Sequence, residues 1–251
     1  MEKLLHNNTF YDELSANYDE MISFDKVVEK KKKLFKDIIK PEMKYAADLG
    51  CGSGIDSIAL VSLGLKVTAF DPSVEMLAIA KENTERVKAK VTFHNQYIDS
   101  IPEDFNDQFD LVVSLGNTFA NIRREQLVKS LQRCKQILKP QGILLIQILN
   151  YEKILNEKER IVNITEGVDK YFIRFYDFIG TDLIFNIILF NKEKPSEHKL
   201  ISTKLFPHTL DDFNNAMNRV GFNEVEFFSD LELTIFYKEL SKDLIIRAIK
   251  E

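Results

Sequence analysis

Residues 47–54 read Ala-Asp-Leu-Gly-Cys-Gly-Ser-Gly, and residues 67–71 read Val-Thr-Ala-Phe-Asp. An apolar strand runs into glycines at the alternate positions 50, 52 and 54, and the next strand ends in an acid. Such glycines let a backbone turn tightly and approach a ligand with no Cβ in the way. Asp71 lies 21 residues beyond Gly50, near the spacing at which an acid at a second strand tip grips a ribose. Together the two stretches point to a nucleoside-containing cofactor.

The surrounding pattern predicts a doubly wound α/β fold. Tyr45–Leu49, Lys66–Asp71, Val91–His94, Phe109–Ser114 and Ile143–Leu149 read as apolar strands. Between them, Ile55–Leu63 reads as a helix stopped at Gly64, and Ser73 can cap a helix running to about Arg86. Leu127, Leu131, Cys134 and Leu138 fall on one helical face, and residues 139–142 read as a turn. Apolar strands alternating with amphipathic helices imply a mostly parallel sheet covered on both faces. Residues 160–206 are β-rich, with a hairpin expected around Gly180-Thr181-Asp182. The α/β pattern resumes with a helix over Leu210–Val220, stopped at Gly221, and strands at Glu224–Phe228 and Asp243–Ile249. The expected organisation is a helical lid over 1–40, an α/β domain over 41–155 and 207–251, and an antiparallel β insertion over 156–206.

The chain has 251 residues, 45% of them hydrophobic, and a net charge of −5. That acidity disfavours wide contact with a phosphate backbone, so no nucleic-acid partner is expected. Cys51 and Cys134 follow no metal or disulfide spacing, and no metal site is expected. With no signal-like segment and no membrane-length apolar run, no membrane partner is expected and a cytoplasmic location is the default. Lys30–Lys33 read as a solvated helix face, or else one of them reaches a ligand carboxylate.

Two cofactor classes use a glycine loop and a following acid. Dinucleotides need G-x-G-x-x-G so that a helix N-terminus binds pyrophosphate. Here the spacing is G-x-G-x-G, and Asp48 would repel a pyrophosphate while favouring a cationic sulfonium and ammonium ligand. Charge logic therefore selects S-adenosylmethionine. Asp48-Leu49-Gly50-Cys51-Gly52-Ser53-Gly54, Phe70-Asp71-Pro72-Ser73-Val74-Glu75-Met76-Leu77 and Leu138-Lys139-Pro140-Gln141-Gly142 resemble, in order and spacing, three motifs of class I S-adenosylmethionine-dependent methyltransferases. Four further stretches, Gly54–Leu60, Leu115–Ala120, Asn150–Leu155 and Phe206-Pro207-His208, resemble the glycine N-methyltransferase branch, which includes glycine/sarcosine methyltransferases. The resemblance implies a Rossmann-like fold, a β-rich insertion over the active site, and S-adenosylhomocysteine as product.

On that basis Asp71 is expected to accept hydrogen bonds from both ribose hydroxyls. Gly50, Gly52 and Gly54 form the close-approach backbone, with Cys51, Pro72, Ile98 and Leu115 beside the cofactor. Asp48 orders the loop or, through water, the methionine amino group. By likeness to the branch, Gln96 bonds the adenine amino group and Tyr97 stacks on the ring, unless Tyr97 is a half-buried core aromatic. Met76 packs on adenine or on the core. Tyr11 and Tyr18 resemble an N-terminal segment that closes over the cofactor, and Tyr18 is the candidate for contact. Asn117 holds the acceptor or caps a local turn. His208 lines the acceptor pocket or caps the following helix. The branch's substrate-binding arginine falls on Leu149 and a tyrosine falls on Phe206, which counts against glycine as acceptor. Arg174 is either an exposed strand arginine or a substitute cation.

The expected activity is transfer of a methyl group to a small-molecule N or O acceptor by in-line displacement. Proximity and alignment can supply about 7–11 kcal/mol of such a barrier. The alternatives are a non-catalytic adenosyl-binding module and an RNA methyltransferase. Oligomeric state is left open.

Overall fold

The structure is a computed structural model that describes residues 4–251. Helices α1 (Asn7–Ile22) and α2 (Phe24–Lys36) precede an alternating run: β1 (Tyr45–Leu49), α3 (Ile55–Ser62), β2 (Lys66–Asp71), α4 (Val74–Arg86), β3 (Val91–Asn95) and β4 (Phe109–Ser114). Then come α5 (Leu127–Ile137), β5 (Leu138–Leu149) and α6 (Tyr151–Glu157). Strands β6 (Ile161–Glu166), β7 (Lys170–Ile179), β8 (Asp182–Asn191) and β9 (His198–Leu205) follow. Helix α7 (Leu210–Val220), β10 (Glu224–Phe228) and β11 (Asp243–Ile249) complete the fold.

The main sheet has the order β10-β11-β5-β4-β1-β2-β3. Its strands are parallel except β11, which runs antiparallel to both neighbours. Side chains alternate between two cores. Ala47, Leu49, Val112, Leu144 and Ile146 face one side, and Ala46, Leu111, Val113 and Leu145 face the other. A strand buried on both faces has no polar side to show, which is why these segments read as continuous apolar runs. The reversal of β1–β2–β3 against β4–β5 puts a crevice at the carboxyl ends of β1 and β4, where open α/β sheets bind ligands.

Local signals set most boundaries. The Ser73 hydroxyl accepts from the Met76 amide at 3.0 Å and starts α4. Thr209 and Asp212 form a reciprocal capping box on α7, which ends at Gly221. Two expectations are corrected. Leu138 is not part of the α5 face, because the helix ends at Ile137 and Leu138 pairs with Phe109. Residues 139–142 do not separate β5 from α5; they belong to β5, with Gln141 at a positive φ of 65° and a register shift against β4 absorbing the bend.

Strands β6–β9 form a separate antiparallel sheet in sequential order, with β7 and β8 joined through Gly180. The N-terminal segment divides its packing. Helix α1 buries Phe10, Leu14 and Met21 against Phe172, Ile187 and Ile201 of this sheet, whereas α2 packs Phe24 and Val28 on Ile58 of α3. The lysine run is not wholly solvated: Lys30 and Lys33 are exposed, but Lys31 turns inward and its Nζ lies 2.8 Å from Asp56. Among the described residues, no helix is long and apolar enough to cross a membrane.

Candidate active site

The glycine loop is hung from the end of β2: the amides of Gly50 and Cys51 both donate to the Phe70 carbonyl, at 2.7 and 3.1 Å. Gly50 has φ +71°, and a Cβ placed there would lie 2.3 Å from Cγ2 and 2.6 Å from Oγ1 of Thr118. Only glycine lets the 115–118 turn close onto this loop. Thr118 fastens that turn by donating to the Leu115 carbonyl at 2.9 Å. Asp71 closes the other side. Its Oδ2 accepts from the Gly52 amide and its Oδ1 from the Ser73 amide, each at 2.9 Å. Burial raises its pKa; the two amides partly offset this, and the nearby Asp12 carboxylate adds to it. Each oxygen keeps a further lone pair for a donor in the crevice.

A single cavity of about 1140 Å³ opens from this cradle, larger than the roughly 300–1,000 Å³ of a typical small-ligand site. Gly50, Cys51, Gly52, Asp71, Pro72 and Met76 form its floor; Tyr97, Ile98 and Asp99 stand at one end. Leu115, Gly116 and Thr118 come from the β4 side, and Asn163, Thr165 and Arg174 from the insertion. Helix α1 is the roof. Its Asn8 donates to the Tyr97 hydroxyl at 2.6 Å, Asp12 accepts from Ser73 Oγ at 2.5 Å, and Asp19 accepts from Asn83 Nδ2 at 2.6 Å. Tyr11 and Tyr18 line the cavity from the roof. Burial raises both phenols above the ordinary range, so both stay neutral.

Several sequence-selected residues do not reach the cavity surface. Gly54 instead lets α4 approach: a Cβ there would sit 3.3 Å from that of Ala80. Asp48 is buried beneath the loop and accepts from Ser57 Oγ at 2.6 Å, so it anchors α3 to the loop. Burial, reinforced by the charge of Asp56, pushes it up to about 7. Gln96 has its side-chain oxygen against Ser100 Oγ at 3.3 Å; Ile98 and Asp99 line the cavity where Gln96 was expected. Asn117 turns away because its backbone is left-handed, φ +70°. Its Oδ1 accepts from the Leu149 amide at 3.1 Å and its Nδ2 donates to the Tyr151 hydroxyl at 2.8 Å. Those bonds tie the turn after β4 to β5 and α6, and Asn117 does not line the cavity. His208 is wholly buried, with Nε2 2.7 Å from the Ile122 carbonyl and its ring edge-on to Phe213. Burial lowers its pKa, so it stays neutral.

Sequence reasoning passed over Asp56, Asp99, Asn121 and Asn163, all of which line the cavity, and underrated Arg174. One signal was available. In β6 the polar Asn163 and Thr165 face inward while Val162 and Ile164 are exposed. A strand with its polar side turned in marks a polar cavity.

Residues 46–142 match the model of a family described as a methyltransferase domain. A glycine/sarcosine N-methyltransferase of Aphanothece halophytica is 25% identical over 98% of this chain and 91% of its own length. A S-adenosylmethionine-dependent methyltransferase from Clostridium acetobutylicum superposes with a TM-score of 0.77 at 16% identity, covering 96% of this chain and 98% of that one. An amino pentose methyltransferase from Micromonospora echinaspora, solved with S-adenosylmethionine bound, has a TM-score of 0.63 at 12% identity over the full length of both chains.

Proposed function

We propose that this chain, a class I S-adenosylmethionine-dependent methyltransferase resembling the glycine N-methyltransferase branch, methylates the nitrogen of a small amine held under α1 and the insertion. The observation that carries the reading is the continuity of one cavity from the Gly50–Asp71 cradle to the insertion wall at Arg174. It is roomy enough for cofactor and acceptor together.

The residues present fit the cofactor. Asp71 has lone pairs directed to a vicinal diol, and Gly50 and Gly52 admit close approach. Tyr97, Ile98 and Met76 offer apolar surface to a purine, with Asp99 an acceptor for its amino group. At the other end, Lys31 and the start of α3 meet a carboxylate. When bound, S-adenosylmethionine supplies a methyl group already activated on a sulfonium. The chain's own residues then have to align the acceptor and exclude water, a task of proximity rather than of acid–base power. The neutral phenols of Tyr11 and Tyr18 suit this, since each can orient an amine by hydrogen bonding without protonating it. Two free buried cysteines, Cys51 and Cys134, are in keeping with a reducing cytoplasm.

The relatives' names make small amino acids the first acceptors to try. Leu149 packs in the core rather than in the cavity, so any acceptor carboxylate needs a partner elsewhere. The test is release of S-adenosylhomocysteine from S-adenosylmethionine with a panel of glycine, sarcosine and larger primary and secondary amines. Turnover of at least one amine supports the proposal. Binding of the cofactor with no turnover of any amine, against turnover of hydroxyl acceptors or RNA, would overturn it.

A further inference from the structure

Arg174 sits on β7 opposite Asn163 of β6, half-buried and facing the cavity. Its Nε donates to Asn163 Oδ1 at 2.5 Å, which fixes the plane of the guanidinium. Among the described residues no carboxylate lies within salt-bridge distance of it, and neither terminal amino group donates to a protein acceptor. Burial lowers its pKa, and the phenols of Tyr18 and Tyr176 partly offset this. Of the other charges lining the cavity, Asp71 is held by two backbone amides, and the rest are paired or exposed. Lys31 meets Asp56 at 2.8 Å, Lys204 meets Asp182 at 2.6 Å, and Asp99 meets Lys129 at 3.1 Å. Arg123 is exposed.

A guanidinium withdrawn from water without a counter-charge is costly. The cost is recovered when a ligand brings the missing anion. The two free amino groups of a planar fork match the two oxygens of a carboxylate. One unmatched cation balances one negative charge, which favours a carboxylate over a phosphate dianion. Tyr18 lines the same cavity as Arg174 and Asp71. In the proposed function the cofactor's own carboxylate is met by the start of α3 beside Lys31, away from Arg174's strand.

We infer that Arg174, oriented by Asn163, binds the carboxylate of the methyl acceptor, and that the substrates are amino acids presented from the insertion sheet with the amine directed past Tyr18. This rests on the proposed N-methyltransferase reading of the same cavity. At about 1140 Å³ the cavity leaves room for acceptors larger than glycine.

The test compares wild type with Arg174→Gln and Arg174→Lys, each checked for folding by circular dichroism. Acetate and, separately, inorganic phosphate are titrated into protein saturated with S-adenosylhomocysteine, and turnover of amino acids is measured against their amides. We expect acetate to bind the wild type, to bind Arg174→Gln at least about 10-fold more weakly, and to bind Arg174→Lys in between. Affinity for S-adenosylhomocysteine should stay within about 2-fold of wild type, whereas loss of a charged hydrogen bond would cost it about 10-fold or more. Amino acids should be preferred to amides by the wild type and not by Arg174→Gln. A 10-fold loss of S-adenosylhomocysteine affinity in Arg174→Gln would assign the arginine to the cofactor and overturn the inference. So would equal binding of acetate by wild type and Arg174→Gln, or phosphate outcompeting acetate. If no amine is turned over, the proposed function fails on its own, while the acetate titration still decides whether Arg174 is an anion receptor.

Discussion

Replacing Gly50 with alanine should be the most damaging single-methyl change in the cofactor loop. The new Cβ would meet Cγ2 of Thr118 at 2.3 Å and Oγ1 at 2.6 Å, well inside contact distance. It would also sit at φ +71°, where an L side chain costs about 1–2 kcal/mol. Overpacking against a fixed turn adds about 1–3 kcal/mol. The expected total is about 2–5 kcal/mol, or a fall in Tm of roughly 5–15 °C for a chain of this size. Thr118→Ala alone should cost about 1 kcal/mol, the bond from its hydroxyl to the Leu115 carbonyl. Removing Oγ1 and Cγ2 leaves only the Thr118 Cβ, 3.0 Å from the new methyl. The double variant Gly50→Ala/Thr118→Ala should therefore be more stable than the sum of the singles predicts, by about 1–3 kcal/mol. Thermal or urea unfolding of the four proteins gives the coupling energy. Additive effects, or a Gly50→Ala protein within about 0.5 kcal/mol of wild type, would refute the claim that this glycine is required by the closeness of the 115–118 turn.

Asp48 carries a folded pKa of about 7, above the roughly 3.9 of an unfolded chain, so the folded state binds the extra proton. Its contribution to stability is then fully present below about pH 4, and is lost as pH rises toward 7. Asp48→Asn should raise Tm at pH 8 and change it much less at pH 5; an equal fall at both would contradict this. Asn117→Ala should cost about 1–2 kcal/mol of stability through the lost bonds to Leu149 and Tyr151, with cofactor affinity nearly unchanged; the opposite pattern in unfolding and calorimetric data would return Asn117 to the binding site. Lys31→Ala should weaken S-adenosylmethionine binding on the order of 10-fold, while Lys30→Ala and Lys33→Ala leave it unaltered. Equal effects of the three would mean a diffuse field and not a contact.

The glycine loop and the acid of the proposed cofactor site were legible in the sequence because their signals are local. A glycine at a positive φ, a serine cap and an acid at a strand tip each act within a few residues, and Gly50, Ser73 and Asp71 stand where those rules put them. The hairpin at Gly180 and the stop at Gly221 were read for the same reason. The acceptor half was not legible, because it depends on which way side chains turn. Asn117 lies in a stretch that resembles an acceptor-binding motif, yet its left-handed backbone turns the amide into the sheet. His208 follows a motif proline, yet it is sealed under Phe213. Arg174 reads as an ordinary strand arginine until β6 is seen beside it, since a cross-strand partner leaves no mark at fixed spacing. The split of the N-terminal segment, with α1 on the insertion and α2 on α3, likewise depends on tertiary packing that two similar helical patterns do not encode.

The central claim is that the Gly50–Asp71 cradle holds S-adenosylmethionine, and calorimetric titration of S-adenosylmethionine into wild type and Asp71→Asn tests it most directly. The wild type should bind with one site per chain. Asp71→Asn, folded by circular dichroism, should bind at least about 10-fold more weakly, because the neutral amide keeps only one uncharged acceptor for the ribose diol. No binding by the wild type, or equal binding by both proteins, would contradict the account.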